Sequence, residues 1–212
     1  MGPLPLPVRN RLAELILAAF EPGEERATLL ALASSCAGSE LSEADADRLL
    51  ALGWFEPAGP REVRLLGAHR AHGPSLAARS ARAATVLRDW RDPDRDDMTR
   101  LLDRAAALAN HGLFFEVHEL LEPVWFQATE PARTALQGLI QIAVGFHHLE
   151  NGNREGARSL LVLGLAKTAD AGAVLPLDLP PWLHELRAVL AGLAAGESPA
   201  RVPRWPRPVT VA

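Results

Sequence analysis

The sequence has a single cysteine, Cys36, among 212 residues, so an intramolecular disulfide is excluded and a thiolate metal site is disfavoured. A reducing cytoplasm fits that usage. No apolar run approaches the length of a membrane span. Met1 to Val8 is proline-rich and lacks a charged, apolar leader, so neither a membrane nor an export route is expected. Positive charge is not in excess. Twenty-two basic residues face 26 acidic ones for a net charge of −4, which argues against a generic binder of nucleic acid or membrane surfaces. Lysine occurs once, at Lys167, and the other basic residues are arginines, a bias with no functional reading. The Glu-x-x-His element of di-iron helical bundles is missing altogether.

What is present is typical of a globular chain, with 48% hydrophobic and 23% charged residues and a length that allows one good core plus a smaller lobe. The stretch from His111 to Gly156 organises the rest. Phe114, Val117, Leu121 and Trp125 recur at three- and four-residue spacing, the stripe of a core-facing helix, with Asn110 as its expected cap and Pro123 expected to kink or end it. Glu116, His118, Glu119 and Glu122 lie beside that stripe. His118 and Glu122 are four residues apart, so they project one turn from each other on one face and are able to share a proton or hold a cation. The string His118-Glu119-Leu120-Leu121-Glu122 is close to the H-E-x-x-H zinc helix but has Glu where the second His belongs.

A second helix is expected after Thr129-Glu130-Pro131, with Thr129 as cap and Pro131 in the first turn. Gln137, Gln141, Val144, Gly145 and His148 share one side of it, and Leu136, Leu139, Ile140, Ala143 and Phe146 make the rest apolar. Two amides on such a helix need partners, because an unpaired buried amide costs a few kcal/mol, of the order of 1–3. The economical arrangement packs this stripe against the His118/Glu122 face across a seam closed to solvent. Gly138 and Gly145 weaken the helix by about 1 kcal/mol each, which is tolerable where they admit another helix closely. Asn151-Gly152-Asn153 closes the element.

The segments FFEVHELLEPVW, LQGLIQIAVGFHHLENGN and GARSLL resemble the family catalogued as domain of unknown function 309, small all-helical proteins of bacteria and some archaea. The resemblance covers about Met98 to Leu193. It places the family pattern on Glu116, His118, Glu119, Glu122, Trp125, Gln137, Gly138, Gln141, His148, Gly152 and Asn153, and it implies a helical fold without an activity.

The fold expected is mainly α, a C-terminal helical bundle preceded by a winged-helix-like lobe of three helices plus a hairpin. In the lobe, residues 1–68, helices are expected over Val8 to Phe20, Glu24 to Ser35 and Ser42 to Leu52, the last with Ser42 and Asp45 as a loose capping box. A hairpin over Trp54 to Leu66 follows. The third helix, SEADADRLLALG, is too acidic to enter a major groove. Residues 69–95 read as a basic connecting helix. Arg61, Arg64, Arg70, Arg79, Arg82, Arg88 and Arg91 are expected to pair with Asp92, Asp94, Asp96 and Asp97 rather than with phosphates. The bundle spans 96–195, with Leu160, Leu161, Leu163 and Leu165 inward on a helix ending near Gly172. The Pro/Arg-rich tail 196–212, with Trp205, is either disordered or a strap on the surface.

Three functions fit. The first is a non-catalytic interaction or ligand-binding module, expected to form a homodimer, whose cluster of Glu116, His118, Glu122, Trp125, Gln137, Gln141 and His148 fixes packing or a ligand. The second is a metal-dependent hydrolase in which His118, Glu122 and His148 hold zinc or another divalent metal, Glu119 is the base and Gln141 orients the substrate. The third is a nucleic-acid-associated protein using the arginine face, disfavoured by charge. The absence of a complete metal motif or nucleophile–base pair puts the first in the lead.

Overall fold

The computed structural model describes residues 4–93, 95–169, 171, 174–199 and 201–209. It is mainly helical, with one small two-stranded sheet among the described residues. The chain divides into two compact units, residues 1–90 and 91–212.

In the first unit, α1 (Leu6–Ala18), α2 (Glu24–Cys36) and α3 (Glu43–Ala51) precede a hairpin of β1 (Phe55–Gly59) and β2 (Glu62–Leu65). A 3-10 turn (Gly67–His72) then leads into α4 (Gly73–Asp89). The capping box forms as expected: Ser42 Oγ accepts the Asp45 amide at 3.1 Å and donates to the Asp45 carboxylate at 2.7 Å. Gly53, at φ 72°, closes α3 in the left-handed conformation that glycine alone adopts freely. The hairpin pairs Phe55 with Leu65 and Glu56 with Arg64. Leu12, Leu29, Leu32, Leu49 and Leu76 are fully buried. Helix α4, read from sequence as a connector, packs on α2 within this unit.

Arg61, Arg64 and Arg70 find partners other than those expected. Arg64 pairs with Glu56 at 2.7 Å, Arg70 reaches the same carboxylate at 3.9 Å, and Arg61 reaches Glu40 at 3.9 Å. Asp92 and Asp97 instead flank Arg100 at 3.3 and 3.6 Å, and Asp96 caps α5 through the Thr99 amide and hydroxyl. Short acidic side chains next to a helix start serve that helix first. Asp94 lies outside the described residues.

The second unit holds α5 (Asp97–Ala109), α6 (Phe114–Gln127), α7 (Ala132–Glu150), α8 (Arg154–Thr168) and α9 (Pro180–Ala194). Its tightest pair is α7 with α8. A Cβ added to Gly138 would lie 2.6 Å from Thr168 Cγ2, one on Gly145 2.8 Å from Leu161 Cγ, and one on Gly164 2.6 Å from Ile142 Cγ1. Three glycines therefore let two helices approach backbone to side chain, and the helix they admit is α8. The inward face of α8 is Ala157, Leu161, Gly164 and Thr168. Leu163 was expected there and is half exposed, one helical step off that face. The expected end near Gly172 lies outside the described residues.

Three local expectations are corrected. Pro123 sits inside α6, which runs on to Gln127, so it neither ends the helix nor marks a boundary; its ring is on the exposed side. Asn110 does not cap α6, whose cap position is Leu113; it ends α5. Thr129 does not cap α7, whose cap position is Pro131 without a side-chain cap bond.

Residues 201–209 of the tail form a strap. Trp205 is buried against Trp182 with ring centroids 4.8 Å apart, and Pro203 and Pro208 are buried with it. Asn110 holds the Trp205 backbone at both ends: its Oδ1 accepts the Trp205 amide at 2.7 Å and its Nδ2 donates to the Trp205 carbonyl at 3.3 Å.

Candidate functional site

Helices α6 and α7 pack side by side, with Phe114 against Phe146 at 5.4 Å between ring centroids. One residue round each helix, Phe115 lies between two imidazoles, 6.0 Å from His118 of its own helix and 5.6 Å from His147 of α7. Further along α6, Trp125 lies against Phe126, with the rings tilted and their centroids 4.8 Å apart, and carries the Arg133 guanidinium at 5.2 Å, from the start of α7. These contacts define a seam with an aromatic floor.

His118 is the centre of its polar rim. Its Nδ1 lies 3.0 Å from Glu119 Oε1 and its Nε2 lies 3.5 Å from Glu122 Oε1. The second contact is the one that four-residue spacing predicts. The first comes from the neighbouring residue, whose side chain folds back along the helix surface. The three side chains are 23%, 33% and 39% exposed, so the rim is open to solvent and not sealed as the sequence suggested.

The remaining candidates divide. Glu116 is completely buried and belongs to the core rather than the rim. Trp125 and Gln141 are half-buried. The Trp125 indole N–H and the Gln141 carbonyl oxygen are each buried and without a hydrogen-bond partner, a donor on α6 and an acceptor on α7. Gln137 is half-buried on α7. His148 goes elsewhere. Its Nδ1 lies 3.0 Å from Asn153 Nδ2, and Asn153 Oδ1 in turn accepts the Gly156 amide at 3.0 Å as the cap of α8. The imidazole that reaches α6 is His147, one residue and about 100° away on the wheel. Phe115, Arg133 and His147 were missed from sequence. Two adjacent histidines at 147 and 148 gave no means of choosing between the two rings before the helix rotation was known.

Among the described residues, no group of three or more His, Cys, Asp or Glu side chains is placed to hold a metal ion. His118, Glu122 and His148 therefore do not assemble as the expected zinc triad, because His148 is committed to the turn after α7.

All of these residues fall in one recognised stretch. Residues 102–160 match the family described as Domain of unknown function (DUF309). The DUF309 segment runs from within α5 to the first turns of α8, a narrower span than the resemblance read from the motifs. No curated protein and no solved structure matches the chain. No helix among the described residues is long and apolar enough to cross a membrane.

Proposed function

We propose that the DUF309 segment is a non-catalytic binding module whose α6–α7 seam takes a cationic group, an ammonium or guanidinium, from a ligand or partner. One observation carries this reading: each ring nitrogen of His118 faces a carboxylate. A neutral imidazole has one N–H, so it satisfies one of Glu119 and Glu122 and turns a lone pair toward the other. The rim is completed by an incoming donor that carries positive charge.

The surroundings suit such a donor. The carboxylates are accessible, the floor is aromatic, and Arg133 over Trp125 already shows how a guanidinium sits on this surface. The Trp125 N–H and the Gln141 carbonyl, buried and without a hydrogen-bond partner, leave a donor on α6 and an acceptor on α7, the two helices of the seam. Hydrolytic chemistry is not favoured, since Glu119 is spent on His118 and no three-ligand group among the described residues stands beside it.

The test is an NMR titration of the full chain with spermidine and with arginine amide. Saturable shifts of the Trp125 indole and His118 ring signals are expected, weakening with salt and lost in a Glu119→Gln/Glu122→Gln chain. Titrations that leave both signals unmoved, or that are equal in the two chains, refute the reading.

A further inference from the structure

The outward stripe of α6 changes character along its length. Counted from Glu119, the residues Glu122, Pro123 and Phe126 follow after three, four and seven positions, so all four share one face of the helix. The first two are the carboxylates of the His118 rim, and the last two are apolar. Pro123 is exposed, and Phe126 is 62% exposed. A single exposed apolar side chain is ordinary. This one is held in place by Trp125, whose ring lies 4.8 Å away and is itself covered by Arg133, and it adjoins a charged rim.

The spacing fits a peptide. Glu122 and Phe126 are one helical turn apart, about 6 Å along the axis. In an extended chain, side chains two residues apart point to the same side and are separated by roughly 7 Å. An arginine and an apolar residue in that relation meet Glu122 and Phe126 together. Arg133 on Trp125 keeps a second cation from the Phe126 end, so the apolar side chain belongs there. Pro123 adds a reason from the backbone. It has no N–H, so the helical bond from position 123 to the Glu119 carbonyl is missing, and a peptide brings backbone N–H groups of its own. The carboxylates are 33% and 39% exposed on an open helix surface, which gives a small molecule few enclosing walls. Their charge repels the phosphates of nucleic acid.

We infer that this stripe docks an extended segment of a partner protein in which one residue separates an arginine from an apolar side chain. The guanidinium bonds Glu119 and Glu122, and the apolar side chain covers Pro123 and Phe126. This rests on the cation-binding reading of the rim and names what the cation belongs to.

The test titrates three peptides into the full chain: acetyl-Leu-Ser-Arg-Ser-Leu-amide, the same peptide with glycine for both leucines, and the same peptide with glutamine for arginine. The Trp125 indole and His118 ring signals report binding. The leucine peptide should bind about fivefold more tightly than the glycine peptide, from apolar area buried on Phe126. The glutamine peptide should leave both signals unmoved. Phe126→Ala, a change at an exposed position, should keep the melting temperature of the parent and bind the two arginine peptides equally. Equal binding of those two peptides by the parent, a preference that survives Phe126→Ala, or binding of the glutamine peptide overturns the inference. Octylguanidine bound as tightly as the leucine peptide overturns it too, since the occupant is then a small amphipathic cation. In each of these cases, glycine-peptide binding that disappears in the Glu119→Gln/Glu122→Gln chain leaves the cation reading standing. Signals unmoved by either arginine peptide remove both.

Discussion

Gly138 and Gly164 face each other across the α7–α8 crossing so closely that neither has room for a methyl group. A Cβ on Gly164 would lie 2.8 Å from the Gly138 carbonyl oxygen, and one on Gly138 3.1 Å from the Gly164 carbonyl oxygen. These obstacles are helix backbone, which does not yield as a side chain does. The crossing fixes which face of α7 is spent on α8, and so which face is left for α6 and for the candidate site.

Gly164→Ala should therefore destabilise the protein by about 2 kcal/mol, the overpacking cost exceeding the roughly 1 kcal/mol that alanine gains in a helix. Gly192→Ala in α9 is the matched control, since its Cβ would meet nothing nearer than 3.6 Å. It should stabilise by up to about 1 kcal/mol. Urea denaturation of the two variants should move the midpoint in opposite directions. A Gly164→Ala chain as stable as the parent would show that the crossing is looser than described.

The His118 rim makes the opposite kind of prediction. Its side chains are about a quarter to two-fifths exposed, so the contacts are screened and contribute little to folding. His118→Ala should cost less than about 1 kcal/mol in thermal or chemical denaturation. A loss of several kcal/mol would mean instead that the cluster holds the helices together, and the binding role would lose its footing.

How much of this was legible in the sequence depends on the reach of each interaction. The capping box at Ser42 and Asp45, the left-handed Gly152, and the meeting of His118 with Glu122 are local, and three- or four-residue spacing is enough to find them. Asn110 has the sequence look of a helix cap, yet its amide is used on a residue 95 positions away. No local pattern encodes that choice. The exchange of His147 for His148 is a rotation error. The amphipathic stripe gives the direction of the core to within about a residue, and one residue on a helix turns a side chain by about 100°. Gly138 and Gly145 announced a close neighbour correctly, but only the packed unit shows that the neighbour is α8.

Asn110 also carries a prediction about the strap. Asn110→Ala removes both bonds to the buried Trp205 backbone and should cost about 1–3 kcal/mol, with Trp fluorescence shifting to the red as the anchor loosens. Asn110→Asp keeps the acceptor for the Trp205 amide and loses only the donor. It should fall between the parent and the alanine variant. Equal stability of all three chains would detach the strap from Asn110.

The last prediction concerns pH and rests on Asp103 of α5. Burial pushes its carboxyl above the ordinary carboxylate range, and that effect outweighs the pull of Arg95, at 3.3 Å, and of Arg207 on the strap. The folded value lies above the unfolded one, so the native chain binds this proton more readily. The contribution of Asp103 to stability is then fully present below the unfolded value and is lost as pH rises through the folded value. Asp103→Asn mimics the protonated form at every pH. It should leave stability unchanged or higher near neutral pH, and the difference from the parent should shrink as pH falls into the acid range. The capping carboxylates Asp45 and Asp96 are held low by hydrogen bonds from Ser42 and Thr99 and act with the opposite sign, so the comparison is between variant and parent at each pH rather than along one curve. An Asp103→Asn chain that is less stable than the parent at neutral pH would show that the two guanidinium groups, not burial, govern this carboxyl.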